Sequence, residues 1–183
     1  MKIYILRHGK TKVIDEDYFR SHLSSEGEIE AQELAKNEIF RNIDKIFSST
    51  FNRAVDTAKV FAVELKLPIN LDKRLNEWKL QSMNHPDYLE EERKGWEDVN
   101  RKGVSGESIL DLRKRFLEFL EELSKVNSEK DILLVTHGTA IESIVSYLEN
   151  RDPSIENIKT QKYLKVVELN VDKGKIELLR TDI

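Results

Sequence analysis

The chain has 183 residues, 39% of them hydrophobic and 35% charged, with a net charge of −4. That length suits a single domain, and the mild acidity provides no general attraction for nucleic acid or an acidic membrane surface. Cysteine is absent, which excludes disulfides, thiolate nucleophiles and cysteine-based zinc sites.

The chain opens with Ile3-Tyr4-Ile5-Leu6, a short apolar run that reads as a buried strand and stops at Arg7-His8-Gly9. It is too short for a secretory signal, no stretch reaches bilayer-spanning length, and a cytoplasmic location is expected. A polar loop follows over residues 10–23. Ser25-Glu26-Gly27-Glu28 then offers a capping box for a helix burying Ile29, Ala31, Leu34, Ala35 and Ile39. Lys45–Ser48 reads as a second strand. The next helix turns Ala54, Val55, Ala58, Phe61, Ala62 and Leu65 inward and ends before Leu67-Pro68. Pro68–Leu71 makes a short third strand.

Residues 73–104 form the least regular stretch, with both tryptophans (Trp78, Trp96) and a charged run from Glu90 to Lys94. They read as a helical excursion covering whatever site the sheet builds. Ser108 and Asp111 cap a long helix whose apolar face is Ile109, Leu112, Phe116, Leu120 and Leu123. Ile132-Leu133-Leu134-Val135 is a further buried strand, ending in Thr136-His137-Gly138 and leading into a helix over 139–149. Two strands, Tyr163–Val171 and Lys175–Thr181, close the chain around an Asp172-Lys173-Gly174 turn. Strands alternating with helices predict an α/β fold: a three-layer α/β/α sandwich whose mainly parallel central sheet gains antiparallel edge strands.

If both strands ending in His-Gly lie parallel, His8 and His137 emerge at the carboxyl edge, where α/β sheets hold ligands. Arg7 leaves the same edge. Arg53 sits in the first helical turn after Ser48-Ser49-Thr50, where free backbone N–H groups favour anions. Two arginines and two histidines converging on one point call for an anion, and arginine forks suit phosphoryl oxygens. Gly9-Lys10-Thr11 imitates the tail of a P-loop. However, the glycine required five positions earlier is Tyr4, inside a strand, so no phosphate cradle forms there.

Six elements occur in order: Arg7-His8-Gly9-x-Thr11; Leu23-Ser24-x-x-Gly27 with Ala31-Gln32; Ser48-Ser49-x-x-x-Arg53-Ala54-x-x-Thr57-Ala58; Leu75-Asn76-Glu77; Gly106-Glu107-Ser108; and Val135-Thr136-His137-Gly138. Together they resemble the histidine phosphatase superfamily, which includes the phosphoglycerate mutases. The resemblance implies that His8 is the nucleophile, becoming a phosphohistidine. It implies that Arg7, Arg53 and His137 hold the phosphoryl oxygens, and that Glu77 is the proton donor. It implies no metal and no cofactor. In some branches an Asp directly follows the second histidine; here Gly138 stands in that slot, and Glu107 and Glu28 rival Glu77 for the role. Lys10 stands where a Glu or Gln is frequent, Ile14 where the mutase pattern has a polar Asn, and Gln81 where a glycine is common four residues after the acidic residue, departures that weaken the mutase reading.

The expected activity is therefore hydrolysis of a small phosphomonoester, with a mutase or a non-catalytic phosphate-binding module as alternatives. His22 and His85 read as surface or turn residues. Trp78 and Trp96 read first as packing. Arg93, Arg101 and Lys102 read first as a solvated charged face, although any of these five lies where it could meet substrate.

Overall fold

The computed structural model describes residues 1–12, 20–78, 88–103, 106–126 and 130–181. These form a six-stranded sheet with helices on both faces. The strands are β1 (Lys2–Arg7), β2 (Ile43–Ser48), β3 (Ile69–Leu71), β4 (Asp131–Thr136), β5 (Val166–Asp172) and β6 (Lys175–Arg180). The helices are α1 (Ser25–Ala35), α2 (Asn52–Leu65), α3 (Tyr88–Glu97), α4 (Ile109–Val126), α5 (Gly138–Leu148) and the short α6 (Ile155–Lys159). Sheet order is β3-β2-β4-β1-β5-β6. The first four strands run parallel, and β5 and β6 are antiparallel additions.

Alternation along each central strand divides the core in two. Ile3, Ile5, Ile132 and Leu134 face α4 and α5, whose Phe116, Leu120, Ile141 and Ile144 complete one cluster. Tyr4, Leu6, Leu133 and Val135 face the other way, against Ala54, Ala58 and Phe61 of α2 and Ala35 of α1. The expected three layers follow from that division. Ser108 and Asp111 cap α4 reciprocally, with each backbone N–H 3.0 Å from the other's side-chain oxygen. The closing hairpin turns through Lys173 and Gly174, both at positive φ (48° and 82°), as a two-residue turn of right-twisting strands requires.

Helix α1 departs from expectation in three respects, the first being its end: it stops at Ala35 and leaves Ile39 half-buried in a separate 3-10 turn. Its cap is Ser24, whose Oγ accepts from Gly27 N at 3.0 Å, one residue earlier than the expected Ser25. The reason lies in the loop after β1: Ser24 N donates to Lys10 O at 2.9 Å, and Gly27 backs so closely onto Lys10 that a Cβ would come within 2.2 Å of that carbonyl. The buried face is then Gly27, Ala31 and Ala35, four residues apart, which leaves Ile29 60% exposed rather than buried. Helix α6 carries no expectation from the sequence. Among the described residues, no helix is long and apolar enough to cross a membrane.

Candidate active site

Parallel pairing sets Arg7 opposite Thr136 and Ser48 opposite Val135. The residues that follow, His8, His137 and Ser49, therefore leave the sheet side by side. Backbone bonds fix that departure: His8 N donates to Thr136 O at 3.0 Å, and Ser49 N to Val135 O at 2.9 Å.

His8 is 1% exposed. Its Nδ1 lies 2.8 Å from the Gly9 carbonyl oxygen, which can only accept, so Nδ1 carries the ring proton and Nε2 keeps a lone pair. Arg53 Nε donates to that lone pair at 3.1 Å. Burial, then the positive charge of Arg53, hold the His8 pKa well below its ordinary value; Arg7 adds to this and the Gly9 carbonyl opposes it. The ring is neutral at physiological pH, as a nitrogen nucleophile must be.

Arg53 is fully buried in the first turn of α2, with its guanidinium 5.4 Å from the Phe51 ring centroid. Thr57 ties this helix to the His8 turn, its hydroxyl accepting from Gly9 N at 3.0 Å and donating to Arg53 O at 2.8 Å. Arg7 donates through one guanidinium nitrogen to the Gln161 carbonyl and stacks 4.7 Å from the Tyr163 ring centroid. Tyr163 also lies 5.8 Å, centroid to centroid, from the His8 ring. Nothing in the sequence singled out Tyr163 or Gln161, because the segment before β5 reaches Arg7 only through the antiparallel β1–β5 pairing.

His137 is wholly buried at the N-cap position of α5, 5.2 Å centroid to centroid from His8 and 5.3 Å from Phe51. Its Nε2 lies 2.7 Å from Ser49 Oγ. Burial first, then the neighbouring Arg53, push its pKa well below normal. Glu77 reaches the same helix end: one carboxylate oxygen accepts from Thr139 N at 3.2 Å and the other from Trp78 N at 2.8 Å. There it lies against free N–H groups, two residues beyond His137.

Of the rival acids, Glu107 is ion-paired to Arg115 at 2.7 Å. The same guanidinium donates to the carbonyls of Arg74 (2.6 Å), Asn76 (2.8 Å) and Glu77 (3.3 Å), clamping the turn that carries Glu77. Glu28 is exposed on α1, lining a surface groove with His22 and Asp56. The geometry thus gathers Arg7, His8, Arg53, Glu77 and His137 and leaves Glu28 outside.

Trp78 is buried and meets Trp96 edge-on at 6.1 Å, and α3 approaches so closely that a Cβ on Gly95 would fall 2.2 Å from the Trp78 ring. Arg93 pairs with Glu90 and Glu97, Arg101 with Glu91, and Lys102 with Asp111. His22 is exposed and paired to Asp56 at 2.6 Å. His85, Ile14 and Gln81 lie outside the described residues. Glu92 of α3 is a further half-buried acid; burial and the nearby Glu77 raise its pKa.

Comparison with known proteins bears on the family and the fold. The family model of the histidine phosphatase superfamily (branch 1) matches residues 3–183. The "Probable phosphoglycerate mutase GpmB" of Enterobacter sp. (strain 638) is 30% identical over 158 residues, covering 80% of this chain and 74% of that protein. A mycobacterial glucosyl-3-phosphoglycerate phosphatase superposes with a TM-score of 0.77 at 25% identity, over 100% of this chain and 97% of that one. The fold is also shared by an Entamoeba histolytica phosphoserine phosphatase variant (TM-score 0.77, 24% identity, covering 99% and 96% of the two chains).

Proposed function

The chain belongs to the histidine phosphatase superfamily, and on that footing we propose that it is a metal-independent phosphatase acting on small phosphomonoesters through a phosphohistidine at His8. One observation carries the reading: a neutral imidazole whose Nε2 lone pair is held ready by the Gly9 carbonyl on one side and Arg53 on the other.

Chemistry follows from that arrangement. The His8 Nε2 lone pair attacks phosphorus as the P–O bond to the leaving group breaks. The ring becomes cationic, and the Gly9 carbonyl accepts its Nδ1–H. Arg53 moves its hydrogen bond from Nε2 to a phosphoryl oxygen, and Arg7 and His137 share the charge developing on the others. Glu77 acts as the general acid toward the departing alkoxide, a contribution of about 10²–10⁴ in rate. It then takes a proton from the water that cleaves the P–N bond, releasing phosphate and restoring His8. The two guanidinium groups supply the positive charge that a metal ion would otherwise bring.

A mutase reading draws on the GpmB relative. It needs cations for a second acidic group on the substrate. Among the described residues, Arg93, Arg101 and Lys102 are already paired with carboxylates of α3 and α4, which favours hydrolysis.

The test is p-nitrophenyl phosphate hydrolysis in EDTA, comparing the wild type with His8→Ala. Turnover that survives this substitution sinks the reading. Adding 3-phosphoglycerate with 2,3-bisphosphoglycerate addresses the alternative: isomerisation faster than phosphate release would make the protein a mutase.

A further inference from the structure

Ser49 is wholly buried, and its hydroxyl stands between three groups. His137 Nε2 is 2.7 Å away, Asn76 Oδ1 2.9 Å, and Phe51 N, which donates to it, 3.2 Å. Asn76 Oδ1 also accepts from Thr50 N at 2.8 Å, which fixes the amide with its oxygen inward, and from Thr50 Oγ1 at 3.0 Å. The other ring nitrogen of His137, Nδ1, is buried and has no hydrogen-bond partner among the described residues.

Counting protons leaves two arrangements. Ser49 has one hydroxyl proton. If it goes to Asn76, His137 must donate through Nε2, and Nδ1 is a bare lone pair, repelling any anion beside it. If it goes to His137 Nε2, Nδ1 carries the ring proton and becomes a donor. Asn76 keeps both its bonds from Thr50 in the second case, while the Ser49 and Asn76 oxygens, 2.9 Å apart, must separate slightly because no proton then lies between them. An anion between His8 and His137 favours the second arrangement, because a buried donor without an acceptor and a buried anion without a donor are both costly.

We propose that Ser49, whose oxygen accepts from Phe51 N, is a positioning residue that turns its O–H from Asn76 to donate a hydrogen bond to His137 Nε2 when phosphate binds, the ring proton being held on Nδ1, so that His137 Nδ1–H donates to a phosphoryl oxygen. The proposal rests on the reading that a phosphoryl group occupies the space between the two imidazoles. The low pKa of His137 makes the choice matter, since a doubly protonated ring would donate from both nitrogens and need no such selection.

Nitrogen-15 NMR of histidine-labelled protein tests it directly, with only four histidines to assign and inorganic phosphate as the probe. Phosphate-bound wild type is expected to show His137 protonated at Nδ1 and bare at Nε2. Ser49→Ala is expected to lose that pattern and to weaken phosphate inhibition about tenfold to a hundredfold, the scale for outer partners of functional histidines. Ser49→Thr, which keeps the hydroxyl, restores most of both, and thermal melting checks that the folds match. A phosphate-bound His137 carrying its proton on Nε2, or a Ser49→Ala protein binding phosphate as the wild type does, overturns the proposal. Hydrolysis with the wrong tautomer would sink this inference alone, whereas a wild type that binds no phosphate would sink it together with the phosphatase reading.

Discussion

The two His-Gly turns begin alike and end differently. Both follow neighbouring parallel strands, and both imidazoles are buried and neutral. After His8 the chain leaves as a loop, and the Gly9 carbonyl is free to hold Nδ1. After His137 the chain enters α5 at once, so the following carbonyls serve the helix, and the ring is held instead by a hydroxyl from β2's loop. A carbonyl can only accept, which commits His8 to one tautomer with Nε2 bare. A hydroxyl can accept or donate, which leaves His137 adjustable. Identical dipeptides acquire the roles of nucleophile and donor from what anchors each ring.

The sharpest way to break this comparison is to delete each ring. His8→Ala is expected to abolish hydrolysis of every ester, since it removes the nitrogen that attacks phosphorus. His137→Ala removes one transition-state donor and should cost about 10²–10³ in kcat. Equal losses at the two positions would show that the rings do not divide the work this way. Glu77→Gln comes next and separates proton donation from attack. Alkyl phosphates should slow by about 10²–10⁴, while p-nitrophenyl phosphate, whose leaving group needs no proton, should form the phosphoenzyme at nearly the wild-type rate in a rapid-quench experiment. A uniform loss on both substrates would remove Glu77 from the acid role.

Stability against pH offers a smaller, independent handle. Both histidines have folded pKa values pushed well below 6.5 by burial and by Arg53. As pH falls, the unfolded chain takes up protons on these rings before the folded one does. The stability they contribute is therefore whole above about pH 6.5 and is lost progressively below it, toward the lowered folded values. Each ring adds a slope approaching about 1.4 kcal/mol per pH unit. His8→Asn should flatten the decline between pH 6.5 and 5 by up to that amount, read from urea unfolding at several pH values. An unchanged slope would mean that His8 is not buried in its neutral form.

Much of this molecule was legible from its pattern. Strand ends at Arg7 and Thr136, the Ser108–Asp111 cap and the two-residue final turn all follow from local rules that packing did not override. Arg53 was legible because helix N-termini and arginines both point to anions. The rest depended on contacts between distant segments. Ile29 fits an inward helical stripe until Gly27 is drawn onto Lys10, which rotates the buried face away from it. Tyr163 reaches Arg7 only once β5 pairs with β1. The Ser49–Asn76 link joins loops after β2 and β3, and each residue alone reads as an ordinary turn former. Glu92 meets Glu77 because Gly95 lets α3 settle on Trp78.

The two turn glycines make the finest comparison. A Cβ on Gly9 would lie 3.1 Å from the Gly27 carbonyl oxygen and 3.2 Å from a Leu23 methyl. The first of these belongs to a backbone that α1's cap holds in place, so Gly9→Ala should cost about 1–3 kcal/mol and displace His8 with the strain. At Gly138 the tightest neighbour is an Ile158 methyl at 3.3 Å, on the short α6, and the Arg7 guanidinium stands at an ordinary 3.5 Å. Alanine is also tolerated at the first position of α5, where glycine holds no positive φ that a side chain would strain. Gly138→Ala should therefore be close to neutral in urea unfolding and alter phosphate affinity modestly, through Arg7 alone. If both alanines destabilise equally, the second turn is as tightly packed as the first, and the freedom assigned to His137 would have to come from Ser49 without any slack in the backbone beside it.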